Sequence, residues 1–173
     1  MFNDHFKANT NGARGRWLSV ILFAGMSAVV TASPVQAQSR SGANLIYNPG
    51  AELGLEGWTV TQGHLEALSA GECAGVTPAT GTQYFSVGGL CNPTTLGEAF
   101  QTVDLSDFST AIDDGRADGL LSARLRNWSN VDEPTAFVVY HDEIGTETGR
   151  SAHLATERQL VEWTYVENRA AIP

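Results

Sequence analysis

The sequence predicts an all-β domain, an antiparallel β-sandwich or jelly roll, behind an N-terminal signal peptide. Three observations lead there. From Asn44 onward, apolar residues recur at every second position in short stretches. Gly, Asn, Asp and Pro punctuate those stretches as turns punctuate strands. The spacing suits a stack of short strands rather than a strand–helix repeat.

The leader comes first. Lys7, Arg14 and Arg16 precede an uncharged run, WLSVILFAGMSAVVTASPVQAQ. Its most apolar part, Leu18 to Ala32, is short for a membrane span, and VQA has the small residues a signal peptidase needs. Cleavage is expected after Ala37, so 1–37 is the signal peptide, 38–43 a linker and 44–173 the domain. The expected address is secreted or periplasmic, with no membrane attachment after cleavage. The mature part holds seven arginines, no lysine and eighteen acids, a net charge of −11. Such a surface repels phosphate backbones, which sets aside nucleic acid as a partner. It favours solubility and could attract cations.

Strands are expected at NLIY (44–47), stopped by Asn48-Pro49-Gly50, and at GWTVT (57–61), with Trp58 and Val60 on one face. HLEAL (64–68) follows Gln62-Gly63, a hairpin-like turn. QYFSV (83–87) is aromatic and β-branched. EAFQTVDL (98–105) sets Ala99, Gln101, Val103 and Leu105 against Phe100 and Thr102. LLSARLRNW (120–128) sets Leu121, Ala123 and Leu125 against Ser122, Arg124, Arg126 and Trp128. TAFVVYH (135–141) is apolar on both faces, as in a central strand, and DEIG (142–145) is a turn. VEWTYVE (161–167) sets Val161, Trp163 and Tyr165 apart from Glu162, Thr164 and Glu167. Two segments are less strand-like. LSDFSTAIDDG (105–115) reads as a helical turn capped by Ser106, with Phe108, Ala111 and Ile112 on one face. SAHLATERQL (151–160) reads as loop or short helix.

The opening stretch NLIYNPGAELGLEGW, with the series WTVTQGHLEAL, GTQYFSV, FQTVDLS, AIDDG, LSARLRNW and TAFVVYHDEIG, resembles galactose-binding-domain-like β-sandwiches, including carbohydrate-binding modules of exported bacterial proteins. The resemblance covers about 44–168. It implies a binding role, with a glycan or cell-surface polymer as partner, on a scaffold that serves many functions. It also implies one or two further strands beyond VENRAAIP. An acid after the first strand in such domains often helps hold a structural calcium, which makes Glu52 the metal candidate; calcium needs 6–8 oxygen ligands.

Cys73 and Cys91 are the only cysteines, and on an exported chain two cysteines favour one disulfide. No CxxC pair or adjacent histidine points to a metal. DDGRADG (113–119) imitates a calcium loop, but Arg116 and Leu125 stand where ligands belong. Sugar sites join a flat aromatic to planar hydrogen-bonding groups, because a pyranose has an apolar face and a hydroxyl rim. Arg126, Trp128 and Asp132 are therefore the ligand-binding candidates. No catalytic residues are expected: His64, His141 and His153 belong to no nucleophile elbow, zinc helix or phosphate loop. The reading is a non-catalytic binding module. Its competitors are an envelope or matrix interaction protein and a truncated relic.

Overall fold

The structure, a computed structural model, describes residues 17–23, 27–34, 44–73, 76–129, 132–156 and 162–173. The cleavage site at Ala37, the linker 38–43, residues 157–160 and Val161 lie outside the described residues. In chain order the strands are β1 Trp17–Phe23, β2 Ser27–Pro34, β3 Thr59–Gln62, β4 Leu65–Ser69, β5 Gln83–Val87, β6 Glu98–Asp104, β7 Ala117–Leu125, β8 Thr135–His141, β9 Glu147–Arg150, β10 Leu154–Ala155 and β11 Thr164–Ala171. One short helix, α1 Ser109–Asp113, follows a 3-10 turn at Ser106–Phe108.

The chain is all-β, and the strand pairs are antiparallel. The largest sheet runs β10-β8-β1-β6-β3, with β9 also on β8; a second runs β11-β7-β2; β4 and β5 form the third. β1 and β2 come from the run expected as leader. β1 lies between β6 and β8, and β2 pairs with the edge of β7 away from β11. Among the described residues no helix is long and apolar enough to cross a membrane.

Alternation explains which faces are buried. Ala99, Gln101 and Val103 of β6 point inward, as do Ala117, Leu121, Ala123 and Leu125 of β7. β8 is buried from Ala136 to Tyr140, so both of its faces are covered, as its composition requires. Its inner residues Ala136, Val138 and Tyr140 share one apolar core with Trp58, Leu65, Phe85, Val87 and the inward row of β7. On its other face Phe137 stacks on His153 at 4.3 Å. A smaller cluster joins Leu68, Val76 and Tyr84 to Leu90 and Trp163.

Several elements differ from expectation. Residues 44–47 are not a strand, although Ile46 is buried. The Gln101 side chain accepts from Tyr47 N (2.7 Å) and donates to Tyr47 O (3.0 Å) and Gly57 O (3.1 Å), so an amide replaces a ladder. Gln62-Gly63 is no hairpin: β3 pairs with β6 while β4 pairs with β5, so the turn carries the chain between sheets. Ser106 does not cap the helical turn. Asp104 Oδ1 accepts from Ser106 N at 2.8 Å, while Ile112 is buried as expected. DDGRADG is a turn only as far as Arg116, which pairs with Asp114; Ala117 already begins β7. In β11 the residues alternate with Tyr165 outward, half exposed, on the same side as Glu167, to which its hydroxyl donates at 2.6 Å. Tyr165 is therefore not part of an inward face with Trp163.

The Gly-rich crossing has an organising residue. Asn48 is buried; it donates to Gly54 O (2.9 Å) and Glu56 O (3.1 Å) and accepts from Leu53 N (3.0 Å). Gly57 sits at φ +84, and any Cβ there would meet the Tyr47 ring, so glycine is required on both counts. Trp58 then enters the core with its indole N–H on Asn48 O at 3.1 Å and its ring edge-on to Phe85.

Candidate functional site

The site starts from β5. Its residues from Tyr84 to Val87 are buried, and after Val87 the chain leaves through Gly88 and Gly89 into the loop that ends at Gly97. One carboxylate shapes that loop. Glu66 of β4 accepts from Leu90 N (2.6 Å) and Cys91 N (3.0 Å) with one oxygen and from Asn92 N (2.9 Å) with the other. Burial pushes the Glu66 carboxyl up, but the three N–H groups outweigh it and hold it below the ordinary range. Cys91, within this loop, pairs with Cys73 as a disulfide with a Cα–Cα separation of 5.2 Å. Thr94 fastens the loop further, its hydroxyl on Gly88 O and Leu96 O.

The opposite wall comes from the chain beyond β7. That strand ends at Leu125, so Arg126 and Trp128 follow it rather than lying on it. Arg124 takes no part, its guanidinium lying over the Tyr165 ring at 5.7 Å. Asp132 Oδ2 accepts from Trp128 N (3.0 Å) and Ser129 N (2.7 Å), closing a tight turn that presents the indole. Trp128 is 52% exposed, unusual for the largest side chain.

Between the walls lies a cleft of about 510 Å³, of the size that holds small ligands. Arg126, Trp128 and Asp132 all line it, together with Tyr84, Leu96 and Trp163. Trp163 meets Tyr84 edge to face at 5.9 Å and is fixed by its N–H on Thr77 O. Two buried polar atoms of lining residues, Tyr84 Oη and Arg126 Nε, have no hydrogen-bond partner among the described residues. Burial raises the Tyr84 phenol and the Arg126 charge acts against that, so the hydroxyl is a neutral donor at ordinary pH. Chemically, the cleft offers aromatic faces, a guanidinium and hydroxyls.

Sequence reasoning missed Tyr84, Glu66 and Trp163. Tyr84 reads as one more aromatic of a buried strand and Glu66 as the polar position of another. Trp163 reads as a face residue of a strand at 161–167, whereas β11 begins only at Thr164.

Glu52 lies elsewhere. Its carboxylate accepts from Thr82 N (2.7 Å), Gln83 N (3.0 Å) and the Thr82 hydroxyl, and these bonds, the hydroxyl first, lower its pKa. It ties the Gly-rich crossing to the start of β5. Gly81 sits at φ +68, where an L side chain is strained, and a Cβ there would also push that carboxylate off its partners. Among the described residues no three His, Cys, Asp or Glu side chains gather as a metal group.

The fold and cleft together define a class: an antiparallel all-β chain with an aromatic-walled, partly polar cleft beside a disulfide-tied loop. No family model, curated protein or solved structure matches the chain.

Proposed function

We propose that this chain is an exported, non-catalytic β-sandwich of the galactose-binding-like, jelly-roll kind, and that it binds a glycan or surface polymer in the cleft beside Trp128. The carrying observation is that Arg126, Trp128 and Asp132 meet at one cleft with the Trp128 ring half exposed. An exposed indole costs solvation free energy, and a pyranose face offsets that cost by covering it. Arg126 and Tyr84 line the cleft and each carries a buried donor, Nε and Oη, with no acceptor among the described residues, and buried donors normally have acceptors. Asp132 is a positioning residue, because its Oδ2 holds the turn under Trp128.

A binding role suits this cleft better than hydrolysis. Its two acids, Asp132 and Glu133, are consecutive on one wall, whereas glycoside hydrolysis sets carboxyls about 5–10 Å apart on either side of the bond. The disulfide suits an oxidising compartment. The test is affinity electrophoresis and calorimetry against soluble polysaccharides. Binding to at least one glycan that weakens in Trp128→Ala supports the reading. Failure of the parent protein across a broad glycan array leaves an envelope interaction protein as the better account.

A further inference from the structure

We propose that the gap between β6 and β8 is a strand-acceptor site whose occupant is the chain's own Trp17–Phe23, and that this segment stays seated there as a noncovalent strand when the backbone is cut after Ala37. The cut after Ala37 rests on the export reading; the seating of the strand rests on the backbone alone.

β6 and β8 are neighbours only through β1. Trp17 to Leu22 register against Asp104 to Ala99 on one side, and Trp17 to Phe23 against His141 to Thr135 on the other. Both walls are antiparallel to β1 and therefore parallel to each other. Without β1 they stand two strand spacings apart, about 9–10 Å. Each wall then has a row of unpaired N–H and C=O groups, and such edges template strand addition. The walls are not solvent strands. Ala99 and Val103 of β6 and Ala136, Val138 and Tyr140 of β8 all belong to the central core. The loss of β2 is milder, since β7 keeps β11 on its other edge.

The slot defines its occupant. It takes about seven residues, uncharged and free of proline, because a central strand must donate to both neighbours. It should not be acidic, given the mature chain's excess of eighteen acids over seven arginines. WLSVILF meets these conditions, and it follows directly on Arg16. The same segment therefore serves two competing ends, export and completion of the sheet.

The experiment uses the full chain, folded, with a site-specific protease sequence placed within 35–40. After cutting, the leader fragment should stay bound through size exclusion and leave only in denaturant. Refolding with an excess of labelled WLSVILF peptide should incorporate the label and protect amides of 99–103 and 136–140 from exchange. The same peptide with Val20→Pro should bind at least about tenfold more weakly, the worth of a lost ladder bond. The proposal is overturned if the fragment leaves on cutting while those amides stay protected, since the walls then close on each other. It is also overturned if the proline peptide binds as well as the parent, which marks mere hydrophobic adhesion. Neither result touches the glycan cleft, which is scored separately by Trp128.

Discussion

Two tryptophans stand in opposite environments, and replacing each with alanine separates core from cleft. Trp58 is 8% exposed, packs edge-on to Phe85 with ring centroids 5.3 Å apart, and satisfies Asn48 O through its indole N–H. Trp58→Ala removes a buried large aromatic, which costs about 3–5 kcal/mol. The orphaned Asn48 carbonyl pushes the value toward the upper end. For a domain of this size each kcal/mol moves Tm by about 3–5 °C, so the melt should drop by roughly 10–20 °C. Trp128 is 52% exposed, and its backbone N–H, not its ring, makes the bond to Asp132. Trp128→Ala should therefore stay within about 1 kcal/mol of the parent in stability. Its effect on a bound glycan should be about 10–100-fold, the covered area of one indole face. The assay is a thermal melt of both variants beside calorimetric titration of Trp128→Ala with the best polysaccharide. If Trp128→Ala melts as low as Trp58→Ala, Trp128 is a structural residue. If affinity is unchanged while the fold is intact, the glycan sits elsewhere.

Other outcomes follow from the same contacts. Gln101→Leu strands Tyr47 N, Tyr47 O and Gly57 O and should destabilise by about 2–4 kcal/mol, against a near-neutral Thr102→Ala, by urea denaturation. Reducing the Cys73–Cys91 bridge, which closes a separation of 18 residues, should cost about 3 kcal/mol and loosen the cleft's loop, read as a fall in Tm with reductant. Glu52 and Glu66 are held below their ordinary value of 4.5, so their stabilisation is complete above that pH and lost as pH falls through the lower folded values. Melts should accordingly be flat from pH 7 to about 5 and decline below it; Glu66→Gln should flatten the decline, and an unchanged slope refutes its role. Since Glu52 caps backbone N–H groups, EDTA should leave Tm unmoved; a drop reversed by calcium restores the metal expectation for Glu52.

What was legible in the sequence was whatever period two controls. The inward rows of β6 and β7 and the doubly buried β8 are written in their alternation, and Trp58 is announced by the glycines before it. The ligand candidates reach the cleft by a different route from the one their alternation implies. The alternation puts Arg126 and Trp128 on a strand face with Arg124, yet the strand stops at Leu125 and Arg124 turns to Tyr165. What stayed hidden was set by partners distant in sequence. Glu66 finds its N–H groups 24 to 26 residues on, and Gln101 finds Tyr47 54 residues back, with no periodic pattern to mark either. The strand expected at 44–47 failed for the same reason, since a side-chain amide supplies what a neighbouring strand would have.

The acidity of the chain gains a second meaning from these contacts. Nineteen acids against ten lysines and arginines leave many carboxylates in excess of any cationic partner. Several turn instead to main-chain donors: Glu52 to Thr82 and Gln83, Glu66 to Leu90 through Asn92, Asp104 to Ser106, Asp132 to Trp128 and Ser129, Asp142 to Ile144 and Thr146. A carboxylate on a backbone N–H makes a stronger bond than a neutral acceptor and needs no second side chain to be ordered. A fold of short strands has many turns, and each turn leaves N–H groups that no ladder satisfies. In this chain the carboxylates that give the surface its negative charge also close the turns, and two of them, Glu66 and Asp132, set the two walls of the cleft.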